Sequence, residues 1–268
     1  MRQPGMMARV FDANLLAGRV ALITGGGTGI CRGIALGFAA HGCDVAITSR
    51  NIEHLEPTLG ELRASGRRAI ARAGDVRDPA AVERVVADTV AELAGLDILV
   101  NGAAGNFICL AENLSPNGFG TVVDIDLKGT FNVSRAALPH LKARRGVVLN
   151  ISATLPYLGT IGQSHAAAAK AGIDSLTRTL ACEWGAYGIR VNDIAPGPTE
   201  GTEGVRRLTN ERSRESAVRQ CPLRRLATID DIANAALYLC SDAAAFVTGV
   251  TLVVDGGLWL RSARILGE

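Results

Sequence analysis

Short runs of Val, Ile and Leu recur along the chain, each closed by a glycine or polar turn and followed by roughly ten to twenty residues with apolar positions at helical spacing. A run that is apolar at nearly every position suits a strand buried on both faces. Strands are therefore expected at Val20–Thr24, Val45–Ser49, Ala69–Arg72, Ile98–Asn101, Val147–Ile151, Ile189–Ile194 and Thr251–Val254. Helices fill the gaps. Between Ala80 and Leu93, for example, Val82, Val85, Val86, Val90 and Leu93 form one stripe, while Glu83, Arg84 and Glu92 lie off it. Strand and helix in alternation predict a doubly wound α/β fold of about seven parallel strands flanked by helices, with its ligand crevice at the strands' C-terminal ends.

With 268 residues and 48% hydrophobic composition, the chain can bury a large core as one domain. No repeat, low-complexity tract or linker marks a second one. The expected organisation is a frayed leader over residues 1–17, a single domain over 18–258 and a short tail over 259–268. Within the domain, residues 196–219 open with Pro196-Gly197-Pro198 and turn highly charged, which reads as a mobile flap beside the crevice. The net charge of +2 is spread evenly, so nucleic acid is not an expected partner. Every apolar run is too short for a bilayer, and no membrane association is expected. Cys31, Cys43, Cys109, Cys182, Cys221 and Cys240 have neither metal-ligand nor redox spacing, so they read as small hydrophobes in a reducing compartment, with no metal site. Met1–Arg19 lacks the apolar core of a signal peptide, and Ile265-Leu266-Gly267-Glu268 is not a peroxisomal S-K-L address, which leaves the cytoplasm as the default.

The first strand runs into Thr24-Gly25-Gly26-Gly27-Thr28-Gly29-Ile30-Cys31, followed by the helical pattern Ile34, Ala35, Phe38, Ala39. Bare backbone and a helix N-terminus together suit a pyrophosphate. This marks a Rossmann-type dinucleotide site with Gly25, Gly27, Thr28, Gly29 and Ile30 as candidate contacts. The second strand ends in Thr48-Ser49-Arg50, where an NAD enzyme usually carries a carboxylate. A guanidinium there accommodates a 2′-phosphate, so NADPH is the expected cofactor, although Arg50 is also readable as a solvated helix-entry residue. Asp75-Val76 follows the third strand, where an acidic loop residue is readable as a helix cap.

Further motifs are Asn101-Gly102-Ala103-Ala104-Gly105, Pro196-Gly197-Pro198 and Asp255-Gly256-Gly257. With the glycine turn, they resemble the short-chain dehydrogenases and reductases over about residues 18–258. The last glycine of that family's loop is Cys31 here, and Asp75-Val76 falls where the family frames adenine. The family's catalytic tetrad of Asn, Ser, Tyr and Lys is mostly missing: Lys170 stands, but Asp126 replaces the Asn, Ala153 occupies the Ser position between Ser152 and Thr154, and Ala166 occupies the Tyr position. A simple carbonyl needs an acid at its oxygen as hydride arrives, and that phenol is gone. Asp126 and Lys170 facing one crevice could instead hold and polarise a water, or form a structural ion pair. His165, beside Ala166, is an alternative acid or a helix residue.

Asn101-Gly102-Ala103-Ala104-Gly105-Asn106-Phe107, Leu114-Ser115-Pro116-Asn117, Asp124-Ile125-Asp126, His165-Ala166 ahead of Lys170, and Gly201-Thr202-Glu203-Gly204 make a narrower match. They resemble peroxisomal-type 2,4-dienoyl-CoA reductases, whose pattern includes the missing Tyr. That resemblance implies NADPH-dependent reduction of a trans-2,4-dienoyl-CoA to a trans-3-enoyl-CoA in unsaturated fatty acid degradation. It also implies Asp126 and Lys170 acting through water, Asn106 as a donor to the enolate oxygen, Lys170 on the nicotinamide ribose, and Pro196 and Gly197 beside the cofactor. Phe107, Ser115, Asn117 and Arg207 would meet acyl-CoA, Arg207 at a CoA phosphate, and the chain would act as a homo-oligomer, tetramer or dimer. Two other readings stay open: another short-chain reductase acting on a carbonyl or enoyl-CoA, and a dinucleotide-binding pseudoenzyme.

Overall fold

A computed structural model describes residues 10–208 and 210–260. Seven strands, β1 (Val20–Thr24), β2 (Asp44–Ser49), β3 (Ala69–Ala73), β4 (Ile98–Asn101), β5 (Val147–Ile151), β6 (Arg190–Pro196) and β7 (Thr251–Val254), form one sheet in the order β3-β2-β1-β4-β5-β6-β7. Every neighbouring pair is parallel. Each expected strand is present, with its ends moved by no more than two residues. The central strands β1, β4 and β5 are buried at every position, whereas the edge strand β7 is half-buried throughout. That gradient is what a sheet covered on both faces imposes.

Helices α1 (Gly29–Ala40), α2 (Glu56–Ala64) and α3 (Pro79–Leu93) follow the first three strands in turn. After β4 come α4 (Pro116–Val123) and α5 (Gly129–Arg144), and after β5 come α6 (Leu155–Leu158) and α7 (Ser164–Trp184). The β6–β7 connection holds α8 (Glu203–Leu208), α9 (Glu211–Gln220) and α10 (Ile229–Cys240). Successive strand residues point to opposite faces, so Ala21 and Ile23 join a core with Ile34, Phe38 and Ile232, while Val20 and Leu22 join one with Val85, Val133, Leu141 and Leu180. Each fully buried Leu, Ile or Val in these layers contributes about 1.5–3 kcal/mol relative to exposure. In α3, Asp78 accepts from the Ala80 N–H at 3.0 Å and caps the helix, and the stripe is buried at Val82, Val85, Val86 and Leu93 and half-buried at Val90.

Two expectations need correction. Leu16, placed in a frayed leader, is 1% exposed, donates its N–H to the His41 carbonyl at 2.9 Å and joins the α1-side core. A single apolar side chain found a groove that no periodicity announces. Residues 1–9 of the expected leader and 261–268 of the expected tail lie outside the described residues. The expected flap is also more regular than a loop, because its charges fall at helical spacing. Glu203 pairs with Arg207 at 2.5 Å and Glu215 with Arg219 at 3.4 Å, and Asn210 caps the Ser213 N–H at 2.9 Å. Among the described residues, no helix is long and apolar enough to cross a membrane.

Candidate active site

The sheet order reverses between β1 and β4, and the loops that leave these strands part there to open a crevice. Thr24 ties the two loops together at their base: its hydroxyl accepts from the Gly102 N–H at 2.9 Å and the Ala103 N–H at 3.0 Å. Gly25 adopts φ +71°, and a Cβ at Gly27 would come within 2.3 Å of the His54 carbonyl oxygen. Side chains are excluded here, so the backbone lies bare at the N-terminus of α1. Thr28 is the N-cap of α1 and Ile30 lies in its first turn. From this turn a cleft of about 460 Å³ runs between Gly25, Arg50, His54, Asp75, Val76, Ala103 and Ile125. A glycine cradle continuous with a cleft that ends at a guanidinium fits a phosphorylated dinucleotide.

Cys31, in place of the loop's last glycine, has its own accommodation. A Cβ on Gly102 would lie 2.0 Å from the Cys31 sulfur, so the thiol fills space left by a missing side chain across the crevice floor. Burial pushes that thiol up to about 12, which keeps it protonated and chemically quiet. At the other end of the cleft, the Arg77 guanidinium holds the Asp75 carboxyl below the usual carboxylate range, with contacts at 2.5–3.1 Å. Arg77 was missed from sequence, yet it brings a second cation to the rim near Arg50. Pro196 ends β6 opposite Val254, and Gly197 packs against Asp255, which sets the far wall. Thr202 lies within 4 Å of where a Cβ on Gly29 would sit, so the start of the expected flap crosses the glycine turn.

Asp126 and Lys170 meet directly, their Oδ2 and Nζ atoms 3.2 Å apart with side chains 2% and 10% exposed. Asp126 occupies a π-helical turn, Asp124–Lys128, wedged between α4 and α5, a type of bulge often found at functional sites. Its other oxygen accepts from the Gly105 N–H at 2.8 Å, and Lys170 also donates to the Ile151 carbonyl at 2.9 Å. The pair, expected either to hold a water or to form an ion pair, makes direct ionic contact. Ala166, one helical turn before Lys170 on α7, is buried at 2% exposure.

Two nearby hydroxyls, those of Ser152 and Tyr157, are both turned to Asp174. Ser152 donates to Asp174 Oδ1 at 2.5 Å, and Tyr157 donates to Asp174 Oδ2 at 2.6 Å. Burial, and then that bond to Asp174, pushes the Tyr157 phenol well above its ordinary range. His165 is completely buried, with its ring centroid 4.4 Å from that of Phe107, and neither ring nitrogen has a hydrogen-bond partner among the described residues. Phe107 in turn reaches the first turn of α4, where Ser115 accepts from the Gly118 N–H at 3.0 Å and Asn117 is exposed. Asn106 is exposed and donates to Gln163 at 2.6 Å. Arg207 is not brought into this group; it is spent on Glu203 of its own helix. Among the described residues, no three His, Cys, Asp or Glu side chains gather as a metal site would require.

A parallel sheet with this switch point, a glycine turn ahead of α1 and a buried lysine on α7 define a short-chain dehydrogenase or reductase. The sequence profile of a family described as Enoyl-(Acyl carrier protein) reductase matches residues 25–259. A peroxisomal 2,4-dienoyl-CoA reductase, (3E)-enoyl-CoA-producing, of Arabidopsis thaliana is 48% identical over 266 residues, covering 96% of this chain and 89% of that one. A probable 2,4-dienoyl-CoA reductase, (2E)-enoyl-CoA-producing, of Bacillus subtilis is 43% identical over 247 residues, 91% of this chain and 97% of that one. The solved gluconate 5-dehydrogenase of Burkholderia cenocepacia, in complex with NADP and tartrate, has a TM-score of 0.88 at 31% identity, covering 93% of this chain and 99% of that one. Within its class the chain belongs to the family of 2,4-dienoyl-CoA reductases, and it is an enzyme.

Proposed function

We propose that the chain reduces a trans-2,4-dienoyl-CoA to a trans-3-enoyl-CoA with NADPH, a step in unsaturated fatty acid degradation. The observation that carries this reading is the buried Asp126–Lys170 pair one helical turn from an alanine, Ala166, where carbonyl reductases place their phenol. Reduction of a carbonyl needs a proton at oxygen, whereas a conjugated thioester needs stabilisation at oxygen and a proton at the alpha carbon. When bound, NADPH supplies a hydride to the distal carbon of the diene. Asp126 and Lys170 orient a water that gives a proton to the alpha carbon and regains one relayed from the Lys170 ammonium, itself reprotonated from solvent, and Asn106 donates an N–H to the enolate oxygen.

Gly25, Gly27, Thr28, Gly29 and Ile30 would hold the pyrophosphate, Arg50 the 2′-phosphate, Asp75 and Val76 the adenine and Lys170 the nicotinamide ribose, with Pro196 and Gly197 completing the wall. Phe107, Ser115 and Asn117 line the path of the acyl-CoA, and residues 196–219 cover it. Arg207 meets a CoA phosphate by giving up Glu203. A homo-oligomer, dimer or tetramer, is supported by the large apolar side chains left in water, among them Phe131 at 45% and Phe246 at 104% exposure. A reducing compartment, the cytoplasm by default, is supported by six free cysteines, four of them buried.

The test is NADPH oxidation measured with a 2,4-dienoyl-CoA and, in parallel, with a 3-oxoacyl-CoA. Turnover of the dienoyl substrate alone is expected, with the product double bond at C3. Turnover of only the 3-oxoacyl substrate overturns the reading, and a C2 double bond places the chain with the Bacillus subtilis relative instead.

A further inference from the structure

Gln163 stands at the N-cap of α7, two turns before Lys170, and is 4% exposed. Its hydrogen bonds define its orientation. The Phe107 carbonyl can only accept, so the Gln163 amide must turn its NH2 toward it, at 3.1 Å. The Gln163 oxygen is then left for Asn106, which must present its own NH2, at 2.6 Å. Donor and acceptor roles thus leave each amide a single orientation. One N–H of Asn106 is consumed, and the second is held at a set angle on an exposed side chain. The Cys109 N–H, donating to the Gly162 carbonyl at 3.0 Å, makes a further link between the same two segments.

The neighbouring residues complete the pattern. Asp126 grips the Gly105 N–H at 2.8 Å with the oxygen it does not share with Lys170. Gln163 grips Asn106 and Phe107, and the His165 ring lies under the Phe107 ring. Residues 105–107 are thus suspended between the ion pair at one end and the entry of α7 at the other, while Lys170 on that same helix closes the circuit. We infer that Gln163 is a positioning residue: it fixes the free N–H of Asn106 relative to the Asp126–Lys170 pair, so that enolate oxygen and alpha carbon are addressed together. This deepens the dienoyl-CoA reading and rests on it.

The experiment is a double-mutant cycle on the full-length chain with a 2,4-dienoyl-CoA at saturating NADPH, using Gln163→Met, Asn106→Ala and the pair, with folding checked by thermal melting. Removal of one oxyanion donor costs about 10²- to 10³-fold in kcat, and misplacement of one costs up to about 10²-fold. Gln163→Met is expected to lower kcat about tenfold or more with KM changed far less, and to cost little further once Asn106 is already Ala. Gln163→Glu, which accepts from Asn106 in either protonation state and can donate to the Phe107 carbonyl only as the neutral acid, should recover part of the loss; it also serves where the Met variant does not fold. Independent, multiplying losses overturn the inference, as does an Asn106→Ala variant with full activity. A parent chain that turns over no dienoyl-CoA refutes the functional reading itself and takes the inference with it, whereas an active parent with multiplying losses refutes the inference alone.

Discussion

The β1–β3 half of the crevice and the β4–β6 half are built on opposite terms. At the glycine turn the wall is main chain: Gly25 and Gly27 present bare backbone, and of the side chains lining the cleft beyond it Arg50 is exposed while Asp75 is paired with Arg77. Around Asp126, by contrast, polar side chains are committed to one another: Asp126 to Lys170, Asn106 to Gln163, Ser152 and Tyr157 to Asp174. A site made of backbone needs only small residues at the right positions. One made of paired side chains tolerates few independent changes, because each loss strands a buried partner.

That contrast breaks most severely at Asp126. Asp126→Asn should lower kcat by about 10²- to 10⁴-fold, the usual range for a positioned acid or base, with the dinucleotide still bound. Asp126→Ala leaves the Lys170 ammonium buried and unpaired and is expected to cost about 3–5 kcal/mol of stability as well, readable as a lowered urea midpoint. Lys170→Ala should impair both kcat and NADPH affinity. An active Asp126→Asn variant would remove the pair from the chemistry.

The cofactor side is tested more gently. Arg50→Ser should erase a preference for NADPH over NADH of at least about tenfold, equivalent to about 1.4 kcal/mol, in a fluorescence titration. Equal affinities in the parent chain would show that the guanidinium does not read the 2′-phosphate.

A third expectation concerns pH. Burial, and then the nearby Asp174 carboxylate, pushes the Asp193 carboxyl up to about 7. The folded state therefore holds this proton more tightly than the unfolded chain does, so the stabilisation is complete below the ordinary carboxylate range and is lost as pH rises toward 7. Asp193→Asn should flatten that decline in urea midpoints taken from pH 5 to 8; an unchanged slope would assign it to other groups. The smallest effect is expected from His165→Ala, which removes a support for Phe107 and should change kcat/KM severalfold at most. Inactivity of a folded His165→Ala variant beside a fully active Asp126→Asn would make the imidazole the acid.

The same contrast explains what could be read from sequence. Strand positions were legible because burial on both faces demands unbroken apolar runs such as Val20–Ile23 and Val147–Leu149. Asp126 and Lys170 were singled out by resemblance to a motif, with the structure bringing the two side chains into contact. The glycine turn was legible because it follows the first strand and opens α1. Gln163, Arg77 and the Asp174 cluster were not, since nothing in a residue's neighbours along the chain says which distant partner its polar end will meet. Ser152 shows the limit: next to the family's serine position, it spends its hydroxyl on Asp174. Leu16 shows another, an isolated leucine without periodicity that still closes a core.

The contact between Cys31 and Gly102 couples two distant positions. A thiol at 31 in its present rotamer and any side chain at 102 exclude each other, since the Cβ would sit 2.0 Å from the sulfur. A side chain at 102 is therefore admitted only if the thiol at 31 leaves its present rotamer or is itself removed. The two positions, 71 residues apart in the chain, cannot be varied independently, and a single packing contact on the crevice floor couples them.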